Sequence, residues 1–388
     1  MAISSRTLAP SKYKAHSALK KNGIVLSRFI FNGTDVASGE EKHFFIELEF
    51  LNAGLQEEPV LGFANNASLS SDDLQYALAG TLSAKELQYE TLETPSYVAV
   101  RAGYFGKGAK QICAYTSLKN CSAGFKISQT EVGPCIFNDE KISGSIEVSE
   151  RDLRMHPEFL CDAGTASWEL EYKIESAFQH VYEEKLCSWI PFACKASFTG
   201  NIIFDNHHYR VNAKSSCGYA DVNFCETLPE PFFHLSASNL TSHITGKTMF
   251  NSCFAVHGLQ KNALAIIVKF EDLTVALPLD VKSKSQKTLW TCQTMPNEND
   301  DEKLHWSVSG ETSKWIIDID ITCAASLLFV RDFELPQGKR KVLKLLSGGH
   351  GNGEIKLYKR IGKNLELVED AHVAGALCEF GKLDDERS

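Results

Sequence analysis

The sequence predicts an all-β protein made of two consecutive antiparallel β domains. Short segments in which apolar and polar residues alternate run along most of the 388 residues, and about twenty of them can be distinguished. Turn sequences rich in Gly, Asn and Asp separate them, for example FNGTD, FDNHH and VSGETSK. A single eight-stranded barrel would use only half of these segments, so two β domains account for the chain better.

The segment KHFFIELEFLN shows the alternation clearly. Period two places four apolar side chains on one face of this strand and Glu47 and Glu49 on the other. The segment WIIDIDITC repeats the pattern, with Asp318 and Asp320 opposite a row of Trp and Ile side chains. Strands of this kind direct one face at a core and keep one polar face, as in sandwiches and barrels.

Helical signals are few. The clearest lies at residues 68–92, SLSSDDLQYALAGTLSAKELQYETL, where Ser83 and Glu86 have the spacing of a capping box. We expect a short helical insertion there, between two strands of the first domain. A second helical stretch, SAFQHVYEEKL, precedes CSWIPFACKASFTGNIIF, where a new series of strands begins. These signals predict a first domain at residues 1–186 and a second domain at residues 187–388.

Composition and charge narrow the class of protein. Lys and Arg total 40 against 49 Asp and Glu, a net charge of −9 that disfavours a nucleic-acid partner. The N-terminus lacks an apolar core of signal-peptide length, and no apolar window is long enough for a membrane-spanning helix. The twelve cysteines lie mostly in apolar strand patterns, as reduced, buried thiols do. We therefore expect a cytoplasmic protein without a transmembrane segment, whose oligomeric state the sequence leaves open.

The stretch SSCGYADVNFC concentrates polar and titratable side chains. As a strand with period two it gathers them on one face, opposite small apolar residues: Cys217, Tyr219, Asp221, Asn223 and Cys225. The next strand, FFHLSASNL, places His234 and Ser236 on one face. If the two strands form a hairpin, His234 and Asp221 approach each other, and an Asp that orients a His beside a phenol suits general acid–base catalysis. A polar strand face that meets solvent is the competing interpretation.

Metal and phosphate sites are not supported. The pairs Cys217/Cys225 and Cys187/Cys194 are too widely spaced for the paired ligands of a structural zinc site. The Gly-rich segment SGGHGNGE, residues 347–354, precedes a strand rather than a helix and lacks a P-loop Lys. It therefore predicts a flexible loop, and we expect neither a metal nor a cofactor.

The segment from Trp189 to Asn239 resembles part of the tocopherol cyclase and carotenoid 1,2-hydratase-like proteins, the AttH/CrtC-like superfamily of double lipocalins. The matching pieces are Trp189, GNIIFDNHHY, GYADVNFCE and FFHLSASNL, and the rest of the chain is similar only in architecture. Phe224 and Cys225 stand where the family has Trp-Gly. The resemblance implies two consecutive lipocalin-like β-barrels, with the helical insertion in the first.

The same resemblance implies a hydrophobic, isoprenoid- or polyene-like ligand at the junction of the barrels, which the protein would cyclise, hydrate or isomerise without a cofactor. Asp221 would be the acid or its orienting partner, and Tyr219 and His234 would carry protons or donate hydrogen bonds. The ligand contacts would be Asn223, Trp189, Ser236, Asn239 and Trp168. The alternative is a non-catalytic carrier or structural homologue, in which the motif only seals the junction. A deep pocket at Asp221 and Tyr219 would favour catalysis, and a junction filled by side chains would favour the alternative.

Overall fold

The computed structural model of the protein describes residues 22–61, 94–123, 129–156, 158–178, 182–183, 187–258, 264–277, 287–295, 302–338 and 342–383. The helical insertion predicted at residues 68–92 lies outside these ranges. Within them the chain forms twenty-four β-strands and one short α-helix, which confirms the all-β class. No helix in the described ranges is long and apolar enough to cross a membrane.

The first sheet has thirteen strands and contains the first half of the chain. Its strands are β1 (Ile24–Asp35), β2 (Glu41–Leu51), β3 (Tyr97–Phe105), β4 (Lys110–Thr116), β5 (Cys121–Ala123), β6 (Gln129–Val132), β7 (Cys135–Asn138), β8 (Lys141–Val148), β9 (Gly164–Ser176), β10 (Tyr182–Glu183), β11 (Cys187–Phe204), β12 (His207–Val211) and β13 (Gly218–Cys225). Helix α1 (Glu150–Met155) follows β8 and begins at a capping box between Ser149 and Asp152.

The strands of the first sheet are antiparallel, in the order β4-β3-β2-β1-β12-β11-β9-β8-β7-β6-β5. Strand β13 pairs with both β1 and β11, beside the short stretch where β12 pairs with the same two strands. One face of the sheet surrounds an apolar core rich in aromatic rings, among them Phe29, Phe44, Trp168 and Phe198. The sheet therefore curls around its own core, in the barrel-like manner that the resemblance implies.

The second sheet has eleven strands and surrounds a separate apolar core that includes Phe233, Phe254, Trp306 and Ile319. Its order is β18-β17-β16-β14-β24-β23-β21-β20-β19, while β15 pairs with β24 and β22 with β23. Its strands are β14 (Phe232–Ala237), β15 (Leu240–Ser242), β16 (Cys253–Gly258), β17 (Leu264–Phe270), β18 (Leu273–Leu277), β19 (Lys287–Met295), β20 (Lys303–Glu311), β21 (Trp315–Ala324), β22 (Phe329–Glu334), β23 (Val342–Ile361) and β24 (Asn364–Leu383).

The change from the first sheet to the second falls at residues 226–231, and not at the boundary predicted at residue 187. The strands that begin at Cys187 return to the first sheet, because β13 pairs with β1 from Ile24 to Ile30. The helical stretch expected just before residue 187 includes Tyr182–Glu183, which form strand β10 against β11. The sequence shows that new strands begin there but not which earlier strand they pair with.

Cys187 and Cys225 form a disulfide between β11 and β13, and the other ten cysteines are free. The two residues are directly opposite each other in the register of these strands, although they are far apart in sequence. The sequence interpretation, in which all twelve thiols are reduced, is wrong for this pair. Disulfides persist mainly in oxidising compartments, whereas the sequence interpretation assumed a reducing one, and the cytoplasmic location stays a prediction.

The segment SGGHGNGE is not a loop, because it forms the middle of the long strand β23. The register with β24 shifts on both sides of Gly351, which bends the strand. Gly349 packs against the ring of His43, where a Cβ atom would lie 2.0 Å from Nδ1. The Nδ1 atom of His43 also lies 2.7 Å from the carbonyl oxygen of Gly349. Glycine here allows β23 to approach the first sheet closely.

Candidate functional site

The outer faces of the two sheets pack against each other, and their polar side chains form two facing rows. In the first sheet, adjacent strands place four charged residues side by side, which we call the first-sheet row: Asp221, Arg28, Glu47 and Arg101. In the second sheet, the register aligns four polar residues, the second-sheet row: His257, His234, Glu379 and Ser347. All eight side chains are buried, which excludes the solvent-exposed face as an interpretation of the Asp221 strand.

Asp221 lies at the centre of the junction and accepts hydrogen bonds on both carboxylate oxygens. Arg28 donates from Nε to Oδ1 at 2.8 Å and from Nη2 to Oδ2 at 2.6 Å. Oδ2 also accepts from the indole Nε1 of Trp189 at 2.8 Å and from the hydroxyl of Tyr219 at 2.7 Å. The strand alternation predicted from the sequence therefore does bring Tyr219 and Asp221 together, but it also surrounds the carboxylate with donors.

Asp221 is held as a carboxylate. Burial by itself raises the pKa of Asp221, but the charge and hydrogen bonds of Arg28, with a further hydrogen bond from Trp189, outweigh it and lower the pKa below its ordinary value. Burial and the negative charge of Asp221 raise the pKa of Tyr219 well above its ordinary value. Asp221 thus carries no proton to donate at neutral pH, and the Tyr219 proton is engaged in the bond to Asp221.

The charges continue from Asp221 across the junction. Arg28 donates from Nη1 to Glu379 at 2.5 Å, and Ser347 donates its hydroxyl to the same carboxylate at 3.0 Å. Arg331, on β22, lies 3.7 Å from Glu379 and also pairs with Glu47. The result is a buried chain of alternating charges, the inter-sheet chain, which runs Asp221–Arg28–Glu379–Arg331–Glu47 and changes sheet twice.

The sequence analysis did not single out the arginines of this chain. The signal that marks Arg28 is a single cation in the middle of IVLSRFIF, a segment in which residues on both faces are otherwise mostly apolar. A lone charge in a strand with both faces buried needs a partner, because an unpaired buried charge is strongly unfavourable. Arg331 in SLLFVRDFEL is not marked in this way, because Asp332 and Glu334 lie in the same segment.

Glu49 forms a further buried ion pair with Arg101, a member of the first-sheet row. Burial raises the pKa of Glu49, and the opposing charge of Arg101 only partly offsets that effect. The Arg101 guanidinium also lies 4.8 Å from the centre of the Phe333 ring, which comes from the second sheet. Glu49 is thus a junction carboxyl whose pKa is raised by its environment, whereas the pKa of Asp221 is lowered.

His234 lies at the junction, but the strand pairing that places it there differs from the hairpin that the sequence predicts. Strand β14 does not form a hairpin with β13; it pairs with β16 and β24 of the second sheet. His234 Nδ1 lies 3.3 Å from Nδ1 of His257, and its Nε2 lies 3.2 Å from the hydroxyl oxygen of Ser236. The ring of Tyr219 lies 5.3 Å from that of His234, centre to centre, and its hydroxyl bonds to Asp221. The predicted side chains meet across two sheets, without a direct Asp221–His234 hydrogen bond.

The two histidines are neutral. Burial, together with the positive charge of Arg28, lowers the pKa of His257 to about 3 and that of His234 well below its ordinary value. Trp189 stacks on His257 with ring centres 4.9 Å apart, which encloses the imidazole further. His234 is consequently a hydrogen-bonding side chain at neutral pH and not a cationic acid.

Asn223 is a member of the predicted site at the junction whose polar side-chain atoms form no hydrogen bond with the described residues. It is fully buried beside Trp189 and Leu26 in the strand register, yet neither its Oδ1 nor its Nδ2 has a hydrogen-bond partner among the described residues. The Nε2 atom of His257 is likewise unpaired in the described part of the chain. Buried polar atoms of this kind usually meet a water molecule or a ligand.

Two predicted ligand contacts lie away from the junction. Trp168 is buried in the core of the first sheet, on the inner face of β9. Asn239 is exposed, between β14 and β15, and its carbonyl oxygen accepts a hydrogen bond from the backbone of Ala374. Ser236 and Trp189, by contrast, do border the junction.

The junction is filled by side chains. A gap bordered by Ile30, Tyr219, Ser236 and Leu377 leaves about 10 Å³ open to the centre of a water-sized sphere, which is room for about one water molecule. A second gap, beside Arg28 and Arg331, leaves no such room. Ligand pockets usually enclose about 300–1,000 Å³. In the described ranges, no group of three or more His, Cys, Asp or Glu side chains is arranged to hold a metal ion.

The structure thus defines an all-β protein of two barrel-like sheets joined through a buried polar junction. Two solved structures are similar to it along most of the chain. An AttH candidate from Nitrosomonas europaea is 9% identical, with 94% of this chain and 96% of that chain covered and a TM-score of 0.43. Kievitone hydratase from Nectria haematococca is 10% identical, with 97% of this chain and 91% of that chain covered and a TM-score of 0.42.

No protein-family model matches the chain, and no curated protein matches it.

Proposed function

We propose that this protein is a non-catalytic carrier of a hydrophobic small molecule, and that its buried charges close the junction instead of reacting there. The class of ligand follows from the sequence resemblance around Tyr219 and Asp221. The observation that carries the non-catalytic part is the set of hydrogen bonds around Asp221, where Arg28, Trp189 and Tyr219 occupy both carboxylate oxygens.

Acid-initiated cyclisation or hydration needs a group that holds a proton and reaches the substrate through a dry pocket. Asp221 meets neither requirement, because its pKa is lowered and the gaps beside it hold at most about one water molecule. His234 is neutral and bonded within its own sheet, so it supplies no cationic acid. A sealed junction fits the carrier better than the enzyme.

An enzyme that acts at the junction is the second candidate, and one observation favours it. The unpaired polar atoms of Asn223 and His257 would meet a hydroxyl or carbonyl group of a substrate if the sheets moved apart. In that case Asp221 would orient Tyr219 rather than donate a proton itself.

The experiment is to identify the molecule that co-purifies with the protein from its own source by native mass spectrometry, and to incubate fresh ligand with purified protein. If the protein is a carrier, the ligand is recovered chemically unchanged from both the wild type and the Asp221→Asn variant. Conversion by the wild type that is lost in Asp221→Asn, but kept in the exposed-strand control Asp320→Asn, would establish the enzyme instead. Native mass spectra and circular dichroism of each variant verify that it is folded.

A further inference from the structure

Two buried cysteines meet where the two sheets pack against each other. Cys194 lies on β11 of the first sheet, and Cys253 begins β16 of the second. Cys194 is 1% exposed and Cys253 is fully buried, in an apolar cluster that also contains Trp189 of the first sheet and Ala255 of the second. Both are thiols in the structure, and the thiol of Cys194 shares a hydrogen bond with that of Cys253. Their sulfur atoms are therefore in contact across the sheets.

The two sheets approach each other closely at this point. Cα atoms of β11 and β16 come within 8 Å of each other, whereas packed sheets usually lie about 10 Å apart. Lys195, which follows the first cysteine, donates from Nζ to the carbonyl oxygen of Phe250 at 2.5 Å. Lys269, which is paired with the second cysteine in the register of β16 and β17, donates from Nζ to the hydroxyl of Ser176 on β9 at 2.9 Å. Two hydrogen bonds therefore hold the strands together beside the thiol pair.

A second thiol pair provides a comparison. Cys323 and Cys378 also share a hydrogen bond, but they lie on β21 and β24, which β23 separates within one sheet. Strands that are two apart in a sheet lie about 9.5 Å from each other, beyond the Cα separation of about 4.4–6.8 Å that a disulfide spans. Cys194 and Cys253 have no strand between them, because they come from facing sheets. Contact between thiols is common to both pairs, and only the inter-sheet pair also has the backbone approach that a disulfide needs.

We propose that Cys194 and Cys253 are an oxidation site, at which a disulfide joins the two sheets covalently. The co-reactant is a small-molecule disulfide such as oxidised glutathione. The thiolate of one cysteine attacks a sulfur of that molecule and releases one thiolate, and the thiolate of the second cysteine then displaces the other. The two cysteine protons pass through solvent to the released thiolates, so two protein thiols become one disulfide and the oxidant becomes two thiols. The Cys187–Cys225 bond joins two strands of the first sheet, whereas this bond would join the first sheet to the second.

Burial decides when this pair can react. Burial raises the pKa of the Cys194 thiol well above its ordinary value, and only the thiolate attacks a disulfide. The folded protein also shields both sulfur atoms from solvent. The oxidant therefore acts while the chain folds, and protein that has folded without it keeps both thiols. This site is independent of whether the protein carries a ligand.

The test refolds the full chain from urea, either with reduced and oxidised glutathione or with a reductant alone. Remaining thiols are blocked with N-ethylmaleimide, and the protein is digested with trypsin without reduction and analysed by mass spectrometry. Trypsin leaves Cys194 in the peptide of residues 186–195 and Cys253 in that of residues 248–261. Because the first peptide also contains Cys187, the test includes a variant in which Cys187 and Cys225 are both replaced by Ala. After refolding with glutathione, we expect the two peptides to be linked in this variant.

The wild type gives an independent measurement if that variant does not fold. Its two bonds should yield one species of three peptides, residues 186–195, 215–247 and 248–261. Eight of the twelve cysteines should then react with N-ethylmaleimide in urea, instead of ten. Cys253→Ser should lose the peptide of residues 248–261 from this species. The matched control, with Ser at both Cys323 and Cys378, should keep it.

Thermal unfolding shows whether the bond fits the folded protein. Oxidative refolding of the wild type should raise the midpoint by about 5 °C or more above that of Cys253→Ser refolded in the same way. A midpoint that does not rise although the peptides are linked would overturn the proposal, as would reaction of both cysteines with N-ethylmaleimide after oxidative refolding. Cys217 borders the same small gap as Cys194. A link from residues 186–195 to residues 215–247 in the variant without Cys187 and Cys225 would assign the bond to Cys217 and overturn the proposal as well.

Discussion

Replacing Arg28 with Met tests the inter-sheet chain directly. The change removes the guanidinium that joins Asp221 on the first sheet to Glu379 on the second. Asp221 keeps its hydrogen bonds from Trp189 and Tyr219, and Glu379 keeps the one from Ser347, but both lose this cation. The methionine side chain retains much of the buried volume, so the loss of charge dominates the effect.

The expected magnitude follows from burial. The side chains of Arg28, Asp221 and Glu379 are at most 1% exposed. Removing one partner of a buried ion pair lowers the free energy of unfolding by about 3–5 kcal/mol. The matched control is Arg360→Met, because Arg360 pairs with Glu311 at the same 2.5 Å distance but with side chains 32% and 46% exposed. An exposed pair of this kind contributes about 0–1 kcal/mol.

The assay is urea unfolding at pH 7, followed by tryptophan fluorescence and by circular dichroism, with the free energy obtained by linear extrapolation. The double variant Arg28→Met/Asp221→Leu should recover part of the loss, since a buried pair replaced by apolar groups is often neutral or stabilising. A loss below about 1 kcal/mol for Arg28→Met, or one equal to that of Arg360→Met, would refute the claim that this chain holds the sheets together.

Acid should destabilise the protein through its buried histidines. His257 is protonated near pH 6.5 in the unfolded state, but only near about pH 3 in the folded state. Its contribution to the free energy of unfolding is therefore fully present above pH 6.5 and falls below that pH by about 1.4 kcal/mol per pH unit. His257→Gln should remove that part of the slope between pH 6.5 and 5, as measured by urea unfolding; an unchanged slope would contradict it. Reducing the Cys187–Cys225 disulfide should lower the free energy of unfolding by about 3–4 kcal/mol, because the bond closes a loop with a sequence separation of 38 residues. The reductant should have no effect on a variant in which both cysteines are replaced by Ala. Gly349→Ala should lower the free energy of unfolding by about 1–3 kcal/mol, because the new Cβ would force the His43 ring away. An unchanged midpoint of thermal unfolding would show that the strand can shift to accommodate the Cβ.

The local part of the site was predictable because strand alternation depends only on neighbouring residues. Period two placed Tyr219, Asp221 and Asn223 on one face, and the structure has them on the face that meets the second sheet. The same rule placed His234 and Ser236 together on β14, where their side chains lie 3.2 Å apart. These relations need no knowledge of which strands pair.

The pairing itself was not predictable from local pattern. Strand β13 could have formed a hairpin with β14, its successor, but its partners are β1 and β11. Pairing between distant segments is decided by packing and by the fit of whole strands, which no short window contains. The predicted domain boundary at residue 187 and the expected Asp221–His234 contact depended on such pairing, and the structure differs at both places.

The inter-sheet chain also explains why a ligand site at the junction is unfavourable in this protein. To admit a molecule between the sheets, Arg28 and Arg331 would have to separate from Glu379 or from their first-sheet partners. Each broken buried pair destabilises the protein by about 3–5 kcal/mol unless the incoming molecule replaces the lost charge, which a hydrophobic ligand cannot do. The ion pairs Arg28–Glu379 and Arg331–Glu47 therefore disfavour a hydrophobic ligand between the two sheets.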